Sequence, residues 1–308
     1  MSTLTYLLDR RTVEVDPAET VLEASLRSGI PHAHACGGNA RCSTCRVSIV
    51  EGLEHCGPRN DKEQELAGRL HFTDEVRLAC QTTVSRNVTL RRLVLDDEDL
   101  QLTDQRSAGS APTSAGEEKK LAVLFADIRG FTPFAEALPA YDLVHVLNRY
   151  FHAMGEVINR NGGHIDNYMG DGLMALFGHD DAPDAAFRAV SAALTMLEEV
   201  KKRSRHFEEL YGASVRIGIG IHHGNVVVGT IGAGERQRMT VICDAVNFAS
   251  RIESANKKYG TELLTSNEVH RRIANRIIVG RQIEHAVIEG KTGEHVLYEV
   301  KALRATSL

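Results

Sequence analysis

The sequence predicts an α+β protein of two domains, and three observations carry that reading. A chain of 308 residues is long enough for two domains, and its 43% hydrophobic and 25% charged residues are those of a globular protein. The stretch DDEDLQLTDQRSAGSAPTSAGEEKK, 96–120, breaks every periodic pattern. It is acidic first, then rich in Ser, Ala, Gly and Thr, which is linker composition. On its C-terminal side, strand-like and helix-like segments follow in the order βαββαβ, the split βαβ arrangement of a ferredoxin-like fold. The expected boundaries are 1–95 and 119–308, with a linker over 96–118.

Composition excludes several classes. The net charge of −5 gives no basic face for nucleic acid. No run of about 18 apolar residues spans a membrane. MSTLTYLLDRRTVEVD lacks the basic start and apolar core of a secretory signal, so a cytoplasmic location is expected. The six cysteines are then expected to be free or metal-bound rather than paired as disulfides.

The first domain opens with two β-like pieces, TLTYLL and RTVEVD, and a short helix from Thr20. The loop CGGNARCSTC follows and places Cys36, Cys42 and Cys45 within ten residues. A strand CRVSIV comes next, and the later segment EVRLACQTTV supplies Cys80 as a fourth thiolate. Gly37 and Gly38 let the backbone curl close around a bulky inorganic centre, with its amides turned toward sulfur. Structural zinc sites usually pair two C-x2–4-C knuckles. One long three-ligand loop with a single remote cysteine suits a [2Fe–2S] cluster instead. Cys56 falls outside this pattern and is expected to be exposed and unpaired. His32 and His34 flank the loop and are read as packing or solvent-facing. With CGGNARCSTCRV and LACQ, residues 1–95 resemble a [2Fe–2S] ferredoxin domain, nearer the adrenodoxin-like spacing. The resemblance implies a β-grasp fold.

In the second domain, KKLAVLFADIRGFTPF gives a buried strand over 121–126 that ends in Asp127. A Gly turn follows, with Thr132 as an expected N-cap and Pro133 as first helical residue. The helix beyond carries an apolar stripe of Leu143, Leu147, Tyr150, Phe151, Met154, Val157 and Ile158, closed by NGG. HIDNYM and LMALFG form a hairpin around GDG, a second helix covers about 183–210, and VRIGIGIHHG and NVVVGTIG read as two strands. RMTVICDAVNFASRIESANKK passes from a strand into a helix that Asp244 is expected to cap. Asp127 at a strand end and Asp171 in a hairpin turn would share one site if the hairpin is central. Two carboxylates beside a helix N-terminus suit Mg²⁺ and a polyphosphate. Taken alone, Asp171 in Asp-Gly fits turn chemistry equally well.

FADIRGFT, YMGDGLMALF and TVICDAVNFASR together resemble the class III nucleotidyl cyclases over about 118–302. The resemblance implies a homodimer with active sites at its interface. Asp127, Ile128 and Asp171 of one subunit would hold two Mg²⁺ or Mn²⁺ ions. Asn247 and Arg251 of the other would orient the ribose and stabilise the pentavalent phosphorus. Arg236, Lys291, Gly130, Phe131 and Thr132 would be substrate contacts. At the positions that read the base stand Asn167, where adenylyl cyclases carry Lys, and Thr240, as in many bacterial adenylyl cyclases. Asn and Thr each donate or accept, so the two types alone leave the base open. ATP is favoured because Thr240 is of the adenylyl type and the Glu and Cys of guanylyl cyclases are both absent. Cys243 replaces the usual Gly before Asp244, a position read as small-residue packing.

The sequence thus predicts an adenylate cyclase governed by the redox state or presence of a [2Fe–2S] cluster, with an electron donor or acceptor it does not identify. The alternatives are a guanylate or relaxed-specificity cyclase, a degenerate nucleotide-binding sensor, and a ferredoxin electron carrier.

Overall fold

The computed structural model describes residues 2–93, 117–179, 183–211, 215–231, 238–291 and 293–305. The chain divides into two compact units, Met1–Glu117 and Glu118–Leu308. The expected linker lies outside the described residues, except that Glu117 and Glu118 already open a strand.

In the first unit, β1 (Ser2–Tyr6) and β2 (Arg11–Val15) form a hairpin, and α1 (Val21–Arg27) follows. Thr20 caps α1 reciprocally: its hydroxyl accepts from the Glu23 amide, and the Glu23 carboxylate accepts from the Thr20 amide. Then come β3 (Arg46–Glu51), α2 (Asp61–Arg69), β4 (Val76–Leu78) and β5 (Val88–Arg92). The sheet order is β2-β1-β5-β3-β4, with β1 and β5 parallel and the other pairs antiparallel. Its core gathers Leu4, Tyr6, Val47, Leu78 and Leu90 with Val21, Leu22 and Ala24 of α1. A mixed sheet holding one helix in its face is the arrangement the ferredoxin resemblance implies. Helix α2 is not expected from the sequence. Its Glu63 carboxylate is fully buried, accepts two bonds from Arg77 at 2.9 Å and one from the Leu78 amide at 2.7 Å, and so ties α2 to the strand before Cys80.

The second unit begins with β6 (Glu117–Ile128), α3 (Phe131–Ala137) and α4 (Ala140–Arg160). The hairpin β7 (Gly163–Met169) and β8 (Gly172–Phe177), α5 (Ala185–Tyr211), β9 (Ile217–Ile231) and β10 (Arg238–Ile242) follow. The chain continues through α6 (Asp244–Tyr259), β11 (Leu263–Ser266), α7 (Asn267–Ile273), β12 (Ile277–Ala286) and β13 (His295–Leu303). The sheet runs β12-β13-β11-β9-β6-β8-β7, with β10 paired to β9 off that path. Its four strands β9-β6-β8-β7 stand in the split βαβ order expected from sequence.

Strand β6 is covered on both faces. Ala122, Leu124 and Ala126 join the core of α4 and α5, while Leu121, Val123 and Phe125 join the core that holds Ala245 and Ala249 of α6. That explains the unbroken apolar run, which a strand with one wet face would not show. Gly220 lets α6 reach the sheet: a Cβ there would lie 2.1 Å from the Glu253 amide nitrogen.

Three local expectations are corrected. The turn before α3 is made at Gly130, left-handed at φ 68°, so the helix starts at Phe131 and Thr132 lies inside it rather than capping it. Cys243, not Asp244, is the N-cap of α6; Asp244 begins the helix and pairs with Lys291 instead. The two strands expected around Gly224 are the single strand β9. No described helix is long and apolar enough to cross a membrane.

Candidate functional site

Two sets of chemically capable side chains stand out, one in each unit. In the first, the loop after α1 brings Cys36, Cys42 and Cys45 to the end of β4, where Cys80 lies. Gly37 and Gly38 take positive φ, 66° and 84°, which curls this loop back on itself. The Cys45 and Cys80 sulfurs are 3.5 Å apart, both buried. Cys45 gives its proton to this bond, so its thiol is raised well above the usual range, by Cys80 first and burial second. Cys80 is correspondingly lowered to about 6, chiefly by Cys45 and against burial; the Gln81 Nε2 donor at 3.3 Å and the Ala40 amide help. Burial opposes ionisation of Cys36, but the amides of Arg41, Asn39 and Cys42 and the Cys42 thiol together lower it.

Sulfurs that converge in two pairs and collect N–H donors are set up to bind as thiolates, and this donor set fits an iron–sulfur group. His32 is buried, bonded through Nδ1 to Ser25 Oγ at 2.9 Å, and lies outside the thiol set. Cys56, expected to be exposed, is instead half-buried against the core, because its backbone bridges to Val84, and burial raises its thiol.

In the second unit, the register Ala126↔Leu173 lays the tip of the β7–β8 hairpin against the end of β6. Asp127 therefore meets Gly172, whose absent side chain leaves room: a Cβ there would lie 3.1 Å from Asp127 Oδ1. Asp171, next along the turn, lies close enough for the Asp127 charge to act on it. Its carboxyl is raised, by burial first and by the Asp127 charge second. Among the described residues the buried Tyr150 hydroxyl finds no hydrogen-bond partner, and it is pushed far up by burial and by both carboxylates. Two carboxylates sharing a half-buried site, with an orphaned hydroxyl behind them, fit a divalent cation.

Helix α6 presents two faces. Glu253 and Lys257 act electrostatically on the carboxylates, and Glu253 pairs with Arg129 at 2.7 Å. Asn247, Arg251, Ser254 and Lys258 form another stripe, roughly 110° round the helix by residue count. That stripe lines a groove of 410 Å³ with Val287, Ile288 and Glu289. Arg251 donates to the Glu289 carbonyl and stacks against Gly290, where a Cβ would collide with the guanidinium. Lys291 lies 5.3 Å from the Phe248 ring while paired with Asp244.

The base-reading candidates also come together. Thr240 Oγ1 lies 2.8 Å from Asp166 Oδ2, and Arg238 donates to Asn167 Oδ1 at 3.1 Å and to the Asp166 carbonyl at 3.0 Å. Asp166 and Arg238 are not singled out by the sequence. Asp166 adjoins Asn167 and Arg238 lies two residues from Thr240, which is the only signal that could have found them. Within one chain the carboxylates and the Asn247–Arg251 stripe are brought to different places. Arg236 lies outside the described residues.

Residues 114–301 match the Adenylate and Guanylate cyclase catalytic domain, more than half of the chain, and the protein belongs to that family. Residues 6–85 match the 2Fe-2S iron-sulfur cluster binding domain. An adenylate cyclase of Anabaena cylindrica is 40% identical over 161 residues, 52% of this chain and 32% of that protein. The adenylyl cyclase CyaB from P. aeruginosa superposes with a TM-score of 0.57 at 33% identity, over 61% of this chain and 97% of that one. The guanylyl cyclase Cya2 does so with a TM-score of 0.57 at 33% identity, over 61% and 95%. The chain spans about a third or less of the length of the curated relatives it matches first.

Proposed function

We propose that the protein is an adenylate cyclase that works as a homodimer, converting ATP to 3′,5′-cyclic AMP and pyrophosphate at sites shared between subunits. The observation that carries the shared site is the division of α6. Its Asn247–Arg251 stripe points away from the Asp127–Asp171 carboxylates of its own chain, so a second copy must supply one half. In this reading Asp127 and Asp171, with the Ile128 carbonyl, hold two divalent cations, Mg²⁺ or Mn²⁺. Those ions would supply the positive charge that a triphosphate and its leaving pyrophosphate need.

The other roles belong to the chain itself. Asn247 orients the ribose so that its 3′-oxygen faces the α-phosphorus. A new P–O bond forms there, the bond to the β-phosphate oxygen breaks, and the hydroxyl proton passes to solvent. Arg251 reaches the phosphoryl oxygens as their charge grows, where a forked cation is most effective. The backbone at Gly130, Phe131 and Thr132 and the Lys291 ammonium contact the triphosphate, and Asn167 with Thr240 reads the base.

The test is complementation. Asp171→Ala and Arg251→Ala homodimers should each be inactive, and the mixed dimer should recover activity through one intact site. A verified heterodimer with no recovery would refute the shared site.

The [2Fe–2S] unit on the same chain supports regulation of turnover by cluster state, with an unidentified electron donor or acceptor. If cluster reduction shifts nucleotide affinity tenfold, linkage requires a non-cyclisable ATP analogue to move the midpoint potential by about 59 mV. An unmoved midpoint at saturating analogue would leave the cluster without that role.

A further inference from the structure

The residue types at 167 and 240 leave the base open, since an amide and a hydroxyl each both donate and accept. Overall similarity leaves it open too, because an adenylyl and a guanylyl cyclase superpose equally well. What decides the matter is which hydrogens and lone pairs are already committed. Arg238 Nη1 lies 3.1 Å from the Asn167 side-chain oxygen. A guanidinium only donates, so this contact fixes the amide orientation: Oδ1 is used as acceptor, and Nδ2 is left as a donor for a ligand. Thr240 Oγ1 lies 2.8 Å from Asp166 Oδ2. A carboxylate only accepts, so Thr240 has spent its single hydrogen and keeps lone pairs alone. The Asp166 carboxylate, 5% exposed, is itself held by Arg238 Nη2 at 3.5 Å. One arginine thus organises both members of the pair, from β10 across to β7.

We propose that Asp166 and Arg238 are positioning residues that set the hydrogen-bonding polarity of the base pocket to one donor at Asn167 and one acceptor at Thr240. The inference rests on the reading that Asn167 and Thr240 face the base. That polarity matches adenine, whose N1 accepts and whose 6-amino group donates. It mismatches guanine, whose O6 accepts where the amine would stand and whose N1–H would meet the Asn167 donor. Two mispaired groups in a partly desolvated pocket are penalised far more than two missing contacts. In this chain a neutral amide therefore selects adenine without a lysine at position 167, because the cation sits one step back, on Arg238.

The experiment measures kcat/KM for ATP and for GTP with Mn²⁺ in five full-length proteins: the natural sequence, Arg238→Met, Arg238→Lys, Asp166→Asn and Asn167→Ala. Arg238 is half exposed, so its replacement leaves the fold in place. Arg238→Met releases the Asn167 amide to rotate, and the ATP/GTP ratio should fall about tenfold, mainly through a gain with GTP. Arg238→Lys can still donate to Oδ1 and should keep most of the preference. Asp166→Asn gives Thr240 a donor to accept from and should shift the ratio in the same direction as Arg238→Met. A purely structural role for Arg238 would lower both activities together and leave the ratio alone. If Asn167→Ala moves the ratio and Arg238→Met does not, the polarity proposal is wrong and the base contact stands. If Asn167→Ala leaves the ratio unmoved, position 167 does not face the base and the proposal falls with that reading. Should turnover be too low to measure, competition binding of the α,β-methylene analogues of ATP and GTP gives the same ratio, and each outcome is read in the same way.

Discussion

Gly220 offers the sharpest test of how α6 is placed. A Cβ at this position would lie 2.1 Å from the Glu253 amide nitrogen, 2.6 Å from the Glu253 Cα and 2.7 Å from the Ala249 carbonyl. All three are backbone atoms of one helix, so no side chain can swing aside. Ordinary contact begins at 3.4 Å, and Gly220→Ala must therefore push α6 off β9 by about 1.3 Å. Overpacking of this kind costs about 1–3 kcal/mol, and a backbone clash belongs at the upper end. For a unit of this size that is a fall in Tm of roughly 6–12 °C. Because α6 carries Asn247 and Arg251, a displacement of an ångström should also cost roughly a hundredfold in cyclase turnover. Gly155→Ala is the control within the same unit. A Cβ there meets only Ile165 Cδ1 at 3.5 Å, in the middle of α4, and should stabilise by about 0.5–1 kcal/mol. The assay is a pair of thermal melts with turnover measured on the same samples. If Gly220→Ala melts and turns over like the natural protein, α6 does not pack on β9 as described.

Other outcomes follow from the two sites. Cys80→Ser should lose the cluster absorbance and about two irons per chain, whereas Cys56→Ser should keep both; anaerobic iron analysis decides. Gln81→Leu removes an N–H donor from the Cys80 sulfur and should lower the cluster midpoint by about 20–60 mV in a redox titration, with iron content unchanged. The raised Asp171 carboxyl sets a sign for pH. Its folded form holds the proton more tightly than the unfolded chain does, so the stability it contributes to the metal-free protein is present below the ordinary 3.8 and is lost as pH rises through the raised value. Mn²⁺ competes with that proton, so its affinity should climb over the same window. In Asp127→Asn the climb should move to lower pH, and calorimetric titration at several pH values checks this.

Much of the chemistry was legible in the sequence because its residues are local. The cysteine loop, the strand running into Asp127 and the Asp-Gly hairpin each state their geometry within ten residues. What was not legible depended on partners far along the chain. Helix α2 hid because its buried face is filled by Glu63 and Ala67 rather than by an apolar stripe. The distant Arg77 and the Leu78 amide make that carboxylate an interior residue. Gly224 looked like a strand break, but a Cβ there would meet His222 and Ala245. It is small so that α6 can approach, and β9 runs on. The Asp166–Arg238 contact joins residues 72 positions apart, and no periodicity announces it. Thr132 and Asp244 failed as caps because cap identity follows backbone conformation, which Gly130 and Cys243 determine one or two residues earlier.

Strand β9 is 15 residues long, about 50 Å at the usual rise. Its first seven residues are buried, and beyond Gly224 burial becomes intermittent. Position 220 touches the helix that carries Arg251, and position 229 pairs with Thr240. One continuous backbone therefore supports both the helix that carries Arg251 and the strand that carries Thr240, the residues proposed above for phosphate and for the base. Amide exchange should slow along it from the outer end inward, so on the proposed roles the base contact sits on the softer part and the Arg251 helix on the stiffer. Substitutions that retune which nucleotide is taken can then accumulate at the outer end without disturbing the machinery that turns it over.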